Sequence, residues 1–302
     1  MKELLKIEKI SKKYQAKNGE IEALKDISFT VDEGEFVGII GPSGCGKSTL
    51  LSIIAGLEKK SSGTLYIDGE KSEDISPKIG YMLQKDSLLE WRTIYKNVIF
   101  GLEIRKINTP ENRRYVEELL KKYHLYEFKD KYPSQLSGGM RQRVALIRTL
   151  AIRPRILLLD EAFSALDYQT RIMVTKDIYE IIKNENVTAL MVTHDISEAI
   201  SMSDRIVVLT TRPATVKTIY DIDFEMENRN PLSVRESPKF SKYFDSVWKE
   251  LDVNAWKKHF KRKAEVFKKH SIKESICNSN STKHSNSFYS NLGNSSKQRM
   301  DW

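Results

Sequence analysis

The sequence has little cysteine and no long hydrophobic run, and each shortage excludes a class of protein. Cys45 and Cys277 are the only cysteines among 302 residues, too few for a disulfide framework and typical of a reducing compartment. The mean hydropathy is −0.47, and no apolar run approaches the roughly eighteen residues that a membrane-spanning helix needs. The N-terminus has acidic residues and lacks the long apolar segment of a secretory signal. We therefore expect neither a spanning segment nor a secretory leader.

Positive charge is concentrated near the C-terminus. The chain carries a net charge of +9, of which residues 241–270 contribute +5 and residues 271–302 contribute +2. A nucleic-acid-binding domain usually presents its basic surface on the folded domain itself. The first 240 residues carry only +2, so we expect no nucleic-acid partner. With 40% hydrophobic and 30% charged residues, a disordered polyelectrolyte is excluded and a packed core is expected.

Apolar runs of strand length alternate with amphipathic segments over most of the chain. Strands are predicted at 4–10, 27–31, 35–40, 156–159, 189–192 and 206–209. Helical spacing occurs at 50–57, 112–123, 138–151, 172–182 and 196–202. This alternation is typical of an α/β layer fold with a buried parallel sheet. The helix-rich stretch from about 85 to 154 predicts a helical insertion between two strands.

A glycine-rich sequence follows the strand predicted at 35–40. Residues 41–48, Gly-Pro-Ser-Gly-Cys-Gly-Lys-Ser, satisfy every fixed position of the phosphate-loop pattern, between a strand and a helix. Glycines let successive N–H groups turn towards a polyphosphate, and the helix N-terminus adds positive potential. Lys47 can reach the terminal phosphates, and the Ser48 hydroxyl can join the shell of Mg²⁺. The alternative is a turn that contains Lys-Ser by chance.

Two acids end the apolar run at 156–159. Because adjacent strand residues point to opposite faces, we expect Asp160 and Glu161 to have separate tasks. Asp160 would hold Mg²⁺, and Glu161 would polarise the attacking water. The alternative is a strand end with two solvated acids, which is common where loops begin. The phosphate loop makes that alternative much weaker.

A serine and two glycines begin the helix predicted at 138–151. Ser137 is a good N-cap, and Gly138 and Gly139 permit close approach of an anion to the backbone. Taken alone, this pattern favours an ordinary capped helix.

Five motifs, in order and with matching spacing, resemble those of the ATP-binding cassette (ABC) ATPase family over about residues 4–250. They are the phosphate loop at 41–48, Leu-Ser-Gly-Gly-Met-Arg-Gln-Arg at 136–143, Ile-Leu-Leu-Leu-Asp-Glu at 156–161, Ser-Ala-Leu-Asp at 164–167 and Thr-His-Asp at 193–195. The resemblance implies a P-loop NTPase (RecA-like) α/β core, an antiparallel β subdomain and an inserted α-helical subdomain at about 85–155, all within residues 1–252. It also implies hydrolysis of ATP, with ATP and Mg²⁺ as cofactors.

The resemblance implies a role for each matching residue. The implied catalytic residues are Glu161, His194, Gln84 and Lys47, and the implied metal ligands are Ser48, Gln84 and Asp160. The implied nucleotide contacts are Tyr14, Gly41, Pro42, Ser43, Gly44, Cys45, Gly46, Lys47, Ser48 and Thr49. A second copy of the chain would use Ser137, Gly138, Gly139 and Asp167. Tyr14 would stack on adenine, and the alternative is that it is an ordinary core residue. The alternative for Gln84 is a surface amide without a role in the reaction. The alternative for His194 is a structural or solvated histidine.

The resemblance implies an assembly as well as a fold. In this family the Ser-Gly-Gly run of one subunit faces the phosphates held by the other, which implies a C2 homodimer that closes on two nucleotides. It further implies integral membrane permease subunits as partners and, indirectly, an extracytoplasmic solute-binding protein. The expected location is the cytoplasmic face of the cell membrane.

Residues 84–98 indicate a branch of the family. They are similar to a stretch in importer ATPases for nitrate, sulfonates, taurine and pyrimidine precursors of thiamine, although Glu90 stands where those relatives usually have proline. Residues 209–214 resemble the same branch. Leu89 and Trp91 would help to form a groove for a permease helix, or would simply pack within the helical subdomain. An export ATPase, a non-transport cassette ATPase and a nucleotide-binding regulator without turnover are the alternatives; Glu161 argues against the last.

The composition changes again after residue 252. Apolar residues at helical spacing among lysines and arginines predict a basic amphipathic segment at 253–270, which would lie on an anionic membrane or pack on the ATPase core. Serine and asparagine occupy 14 of the 32 positions at 271–302, which predicts a disordered polar tail.

Overall fold

Ten strands and nine helices are present in the computed structural model, which describes residues 2–16 and 19–251. The strands are β1 (Glu3–Ala16), β2 (Gly19–Asp32), β3 (Phe36–Ile40), β4 (Ser62–Ile67), β5 (Glu70–Lys71), β6 (Ile79–Met82), β7 (Ile156–Asp160), β8 (Thr188–Val192), β9 (Arg205–Leu209) and β10 (Val216–Asp221). The helices are α1 (Lys47–Ile54), α2 (Ile94–Val98), α3 (Phe100–Ile104), α4 (Pro110–Lys122), α5 (Gly138–Leu150), α6 (Tyr168–Asn184), α7 (Ile196–Met202), α8 (Pro231–Glu236) and α9 (Pro238–Glu250).

The strands form two separate sheets. One is antiparallel with the order β2-β1-β4-β5. The other has the order β10-β9-β3-β8-β7-β6, and all its pairings are parallel except that of β10 with β9. The carboxyl ends of β3, β6, β7 and β8 therefore meet at one edge, which is where ligands gather in open α/β sheets.

The parallel sheet is buried on both faces because its central strands are apolar at nearly every position. In β7, Ile156 and Leu158 pack with α1 and the antiparallel sheet. Leu157 and Leu159 point the other way and pack with α5 and α6. The described part of the chain thus has three layers, and the predicted α/β layering with an antiparallel sheet and a helical insertion is confirmed. Burial of so many aliphatic side chains stabilises the sheet by about 1.5–3 kcal/mol for each one fully buried.

One helix lies three residues from its predicted position. The spacing predicts a helix over 50–57, whereas α1 runs from Lys47 to Ile54. It begins directly after Gly46, and the chain leaves it at Gly56, where φ is +74°. A Cβ on Gly56 would lie 2.5 Å from the backbone of Asp74 and Ile75, so a tertiary contact ends the helix before Leu57.

Four helices, α2 to α5, occupy the chain between β6 and β7. Thr93, Thr109 and Ser137 cap α2, α4 and α5, and each side-chain oxygen accepts a backbone N–H of the first turn. Asn97 in α2 is fully buried, and its side-chain amide bonds to Leu89 at both its oxygen and its nitrogen. That residue fixes the preceding loop, on which Trp91 is 75% exposed.

Among residues 2–16 and 19–251, no helix combines the length and the apolar character needed to cross a bilayer. The amphipathic segment predicted at 253–270 and the tail predicted at 271–302 lie outside the described residues.

Candidate nucleotide site

The glycine-rich loop at 41–46 joins β3 to α1 at the carboxyl edge of the parallel sheet. Gly44 and Gly46 have φ values of +76° and +122°, which favour glycine because a Cβ is strained there. A Cβ on Gly46 would also lie 2.8 Å from Leu24 Cδ2, whereas open space surrounds Gly44. The loop therefore turns sharply into α1 and keeps one open side on which an anion can approach its backbone.

Lys47 is folded into its own loop and is only 5% exposed. Its Nζ donates to the carbonyl oxygens of Gly41 at 2.9 Å and Pro42 at 3.1 Å. Hydrogen bonds from an ammonium group to charged oxygens are stronger than those to neutral carbonyls. Lys47 can thus exchange these carbonyls for phosphate oxygens, and the loop and its lysine fit the polyphosphate of ATP.

The other residues predicted to line the loop differ in accessibility. Ser43 and Gly44 are exposed, and Pro42 is buried. Cys45 is 1% exposed, and burial raises the pKa of its thiol. A Cβ on Gly41 would lie 3.0 Å from Cys45 Sγ, so this side chain fills the space beneath the loop.

Ser48 and Asp160 meet between α1 and the end of β7. The Ser48 hydroxyl donates to Asp160 Oδ1 at 2.9 Å, and the Tyr81 hydroxyl donates to Oδ2 at 3.1 Å. Burial raises the pKa of Asp160 above its ordinary value. Two hard oxygen donors fit Mg²⁺, which is usually held by one or two protein side chains and completes its shell with phosphate and water. The described residues contain no cluster of three or more His, Cys, Asp or Glu side chains suited to a metal.

Glu161, Gln84 and His194 form a second group beside that pair. Gln84 Nε2 donates to Glu161 Oε2 at 3.4 Å and to Ser164 Oγ at 3.2 Å, so its hydrogen bonds go to this group and not to Ser48 or Asp160. His194 Nδ1 lies 3.4 Å from Glu161 Oε2. Glu161 has a φ of +47°, a strained conformation for a residue with a Cβ, which its N–H bond to the Val192 carbonyl helps to hold.

The charges of this group reinforce one another. The hydrogen bond from His194 holds the pKa of Glu161 below its ordinary value, and the same bond raises the pKa of His194. Glu161 is therefore ionised at neutral pH, the state in which a carboxylate can orient a water molecule and accept its proton. A carboxylate, an amide and an imidazole thus converge next to the Ser48–Asp160 pair.

Behind His194 lies a carboxyl group that the sequence reasoning missed. The side chain of Glu198, in the first turn of α7, is 5% exposed. Its Oε2 accepts a hydrogen bond from the Thr193 hydroxyl at 2.6 Å. Burial, with a contribution from the Asp195 charge, raises the pKa of Glu198 to about 7. The folded protein therefore holds a proton on Glu198 more tightly than the unfolded chain does.

We expect Glu198→Gln to stabilise the protein in a pH-dependent manner. Below the unfolded-state pKa of 4.5, the wild-type carboxyl is neutral in both states, so the variant gains little. As the pH rises from 4.5 to about 7, the wild-type protein loses stability because the unfolded chain ionises more readily. The variant should then be more stable by up to about 3 kcal/mol at pH 8. Urea unfolding at pH 5 and pH 8 measures this difference.

Glu118→Gln is the matched control, because Glu118 is exposed on α4. Its effect should be small and should change little between the two pH values. A Glu198→Gln variant with the same stability difference from wild type at pH 5 and pH 8 would contradict the raised pKa.

The Ser137-Gly138-Gly139 run begins α5. Ser137 Oγ accepts the N–H of Met140 at 3.3 Å, and Ser137 and Gly138 are exposed. A Cβ on Gly139 would lie 2.7 Å from Val174 Cγ2 in α6, so close packing of the two helices requires this glycine. Within the described chain, no hydrogen bond or ion pair joins residues 137–139 to residues 41–48. Ser137 and Gly138 are thus presented to solvent and not to the phosphate loop of their own chain.

Asp167 and Tyr14 are also assigned to the nucleotide by the resemblance. Asp167 is the N-cap of α6, where its Oδ1 accepts the Thr170 N–H at 3.0 Å. The hydrogen bonds from Thr170 lower its pKa. Tyr14 is 36% exposed, and its hydroxyl lies 3.5 Å from Thr49 Oγ1 in α1. Lys12 Nζ lies over one face of the Tyr14 ring, 4.7 Å from its centroid, so the structure places Tyr14 beside α1 with only part of its ring exposed.

Two further residues at the site were missed because only the sheet order brings them there. Tyr81 reaches Asp160 because β6 pairs with β7. Arg212 Nη2 donates to the Gly44 carbonyl at 2.8 Å, because β9, which precedes it, pairs with β3. No local sequence signal connects either residue to the phosphate loop.

Comparison with known proteins identifies relatives over most of the chain. A family model described as "ABC transporter" matches residues 24–164. An uncharacterised ABC transporter ATP-binding protein of Bacillus subtilis, YtlC, is 46% identical over 230 residues, covering 76% of this chain and 88% of its own. The nitrate import ATP-binding protein NrtD of Synechocystis sp. is 37% identical over 247 residues, covering 80% of this chain and 93% of its own.

Solved structures share the fold. The dimeric post-hydrolysis state of the ATP-binding cassette MJ0796 bound to ADP and Pi has a TM-score of 0.62 at 35% identity, covering 73% of this chain and 99% of that chain. CbiO1 from Clostridium perfringens, described as part of the ABC transporter complex cbiONQ, has a TM-score of 0.64 at 29% identity, covering 80% of this chain and 93% of that chain.

Proposed function

The chain belongs to the ABC transporter ATP-binding family, and on that basis we propose that it is the ATP-hydrolysing subunit of an importer, working as a homodimer beneath a separate permease. It is an ATPase of the ABC type. The single observation that carries the proposal is the adjacency of two groups at the sheet edge. The Ser48–Asp160 pair would hold a metal ion, and the ionised Glu161 lies beside it with Gln84 and His194.

Each side chain has a task in this proposal. Lys47 and the loop N–H groups bind the β- and γ-phosphates, and Tyr14 stacks on adenine. Mg²⁺, held through Ser48 and Asp160, would neutralise charge on the transferred phosphoryl group. Glu161 orients the attacking water and accepts its proton, and His194 donates to the γ-phosphate. The ATPase domain spans residues 1–252 in this proposal, with a helical subdomain at about 85–155.

A second copy of the chain completes the site. Ser137 and Gly138 are exposed and unattached to the phosphate loop of their own chain, and the run lies at a helix N-terminus, where anions are stabilised. In an isologous C2 pair, the run of one copy can cover the phosphates bound by the other. The dimeric structure of the MJ0796 cassette bound to ADP and Pi supports the pairing of two copies.

We expect Ser137→Arg to abolish nucleotide-dependent dimerisation and hydrolysis while ATP binding to the monomer changes little. The larger side chain occupies the space where the partner's nucleotide would sit, whereas the phosphate loop of the same chain is not touched. Light scattering after gel filtration, with and without Mg²⁺ and ATP, measures the dimer, and fluorescence titration measures ATP binding.

Ser134→Arg is the matched control, because Ser134 is exposed three residues earlier and outside the glycine run. It should dimerise and hydrolyse ATP as the wild type does. Equal loss of monomer binding and hydrolysis in Ser137→Arg would mean that Ser137 belongs to the binding site of its own chain, and would overturn the two-copy arrangement.

The importer assignment rests on similarity and on one exposed surface. Residues 84–98 are similar to importer ATPases, and a nitrate import protein is among the relatives. The loop that Asn97 fixes presents Trp91 at 75% exposure, and Leu89 on the same loop is half-buried. In this proposal the apolar face of a permease helix packs on Trp91 and Leu89. We therefore propose uptake of a small solute such as nitrate, a sulfonate, taurine or a pyrimidine precursor, with the ATPase on the cytoplasmic face of the membrane.

The genes beside the one for this chain test the direction and the class of solute. A neighbouring permease gene together with one for an extracytoplasmic solute-binding protein supports import. A neighbouring exporter membrane domain without any solute-binding protein contradicts it, and leaves the ATPase reaction itself intact.

A further inference from the structure

We propose that Arg171 and Glu198 couple the loop that carries Asp167 to the loop that carries His194, so that contact with a second copy of the chain positions His194 for hydrolysis. This inference rests on the proposed function, in which His194 faces the nucleotide, and on the role that the family resemblance implies for Asp167 at the second copy. Arg171 and Glu198 are positioning residues here, because they act through their neighbours and touch no reacting atom.

Glu198 holds the His194 loop from one side. The Thr193 hydroxyl donates to Glu198 Oε2 at 2.6 Å, and the Asp195 N–H donates to Thr193 Oγ1 at 3.0 Å. Asp195 Oδ1 in turn accepts the N–H groups of Ser197 at 2.8 Å and Glu198 at 3.2 Å. Both neighbours of His194 are thus tied to the first turn of α7, so the direction of the imidazole depends on where Glu198 lies.

Arg171 holds the Asp167 loop from the other side. Its Nη2 donates to the carbonyl oxygen of Leu166 at 2.9 Å, directly before Asp167. Arg171 also belongs to the first turn of α6, whose N-cap is Asp167. A displacement of this loop by a partner molecule therefore moves the guanidinium with it.

Arg171 meets Glu198 and Asp195 in a largely buried contact that is only partly formed. Arg171 Nε lies 3.8 Å from Glu198 Oε1, and Nη1 lies 3.7 Å from Asp195 Oδ2. Both distances suit an ion pair but exceed hydrogen-bond range. Arg171 Nε is buried and has no hydrogen-bond partner among the described residues, and an unsatisfied buried donor is costly. A movement of less than about 1 Å would complete these bonds, which makes the pair responsive to closure of the dimer.

The charges around Glu198 support a contact with Arg171 that strengthens when the two side chains approach. Four groups face the Glu198 carboxyl: Thr193, His194, Asp195 and Arg171. Burial raises the pKa of Glu198 to about 7. In the single chain the carboxyl is therefore only partly ionised at neutral pH. Approach of the Arg171 guanidinium would favour the carboxylate and strengthen the pair.

The test compares Arg171→Ala, Arg171→Lys and Glu198→Gln in the full chain. Glutamine keeps an oxygen that accepts from Thr193 and removes only the charge that faces Arg171. We expect hydrolysis to fall about tenfold in Arg171→Ala and Glu198→Gln while the Kd for ATP changes less than about twofold. Arg171→Lys should recover part of the rate, because lysine keeps the charge but loses the fork that also reaches Leu166. Arg153→Ala, at an exposed arginine, is the control and should match the wild type.

A spectroscopic measurement distinguishes a change in the position of His194 from a general loss of folded structure. With ¹⁵N-labelled histidine, the imidazole resonances of His194 should shift on formation of the ATP-bound dimer in the wild type. That shift should be reduced in Arg171→Ala and in Glu198→Gln, although the latter is expected to be the more stable protein. The Arg171→Ala, Glu198→Gln double variant should lose no more than about the larger single loss, because both act through one contact.

The outcomes are distinct. Wild-type rates and wild-type His194 shifts in Glu198→Gln would overturn the coupling, and this variant decides the question if Arg171→Ala does not fold. If the wild-type chain itself neither dimerises with ATP nor hydrolyses it, the proposed function fails, and the coupling fails with it. Wild-type dimerisation and hydrolysis that persist in all three variants would overturn only the coupling.

Discussion

Replacement of Lys47 by alanine should reduce ATP hydrolysis below detection. Within residues 41–48, Lys47 is the one residue whose positive charge can balance the negative charge of the terminal phosphates. Its Nζ already lies inside the loop, where it donates to the carbonyl oxygens of Gly41 and Pro42. Loss of a charge-assisted bond weakens binding by about 1.5–3 kcal/mol, roughly 10–100-fold in Kd. Loss of the same charge from the transition state should lower the rate by a further 10²-fold or more, on the order of other electrostatic deletions.

Isothermal titration with ATP and a phosphate-release assay measure the two effects of Lys47→Ala. Lys59→Ala is the control, because Lys59 is exposed beyond the C-terminal end of α1, and it should behave as the wild type. Hydrolysis by Lys47→Ala at more than about a tenth of the wild-type rate would contradict the phosphate-loop role.

Replacement of Glu161 by glutamine should keep ATP binding, nearly stop hydrolysis and hold the dimer closed. Glutamine has the same shape and can still accept from Gln84, but it cannot take a proton from water. A positioned general base contributes about 10²–10⁴ in rate, and we expect a loss of that size. Because Glu161 raises the pKa of His194, that pKa should also fall in the variant.

Single-turnover hydrolysis and gel filtration with light scattering test Glu161→Gln. Uncleaved ATP favours the closed state, since a ligand shifts an equilibrium by its differential affinity for the two states. Glu180→Gln is the control, because Glu180 is a half-exposed member of an ion pair on α6. A Glu161→Gln protein that stays monomeric with Mg²⁺ and ATP would count against the dimer, and one that hydrolyses ATP at the control rate would count against the base.

Much of the fold is readable in the sequence because its requirements are local. Strands such as β7 and β8 are continuous apolar runs, and the predicted helix at 196–202 coincides with α7. The prediction for α1 was wrong by three residues at each end, since helical spacing alone does not show where Gly56 meets the backbone of Asp74. The roles of the motif residues stay predictions until the variants are measured.

The sequence by itself determined the family, the α/β layering and the composition of the phosphate loop, because each is written in short runs of consecutive residues that recur in order along the chain. The glycines that permit a positive φ at positions 44 and 46, and the acids at the end of β7, are local features of this kind. Only the tertiary structure decided which distant side chains join them. The order β10-β9-β3-β8-β7-β6 departs from the order along the chain, and it brings Tyr81 to Asp160 and Arg212 to Gly44. Contacts between residues so far apart depend on how the layers pack, and no local pattern encodes them.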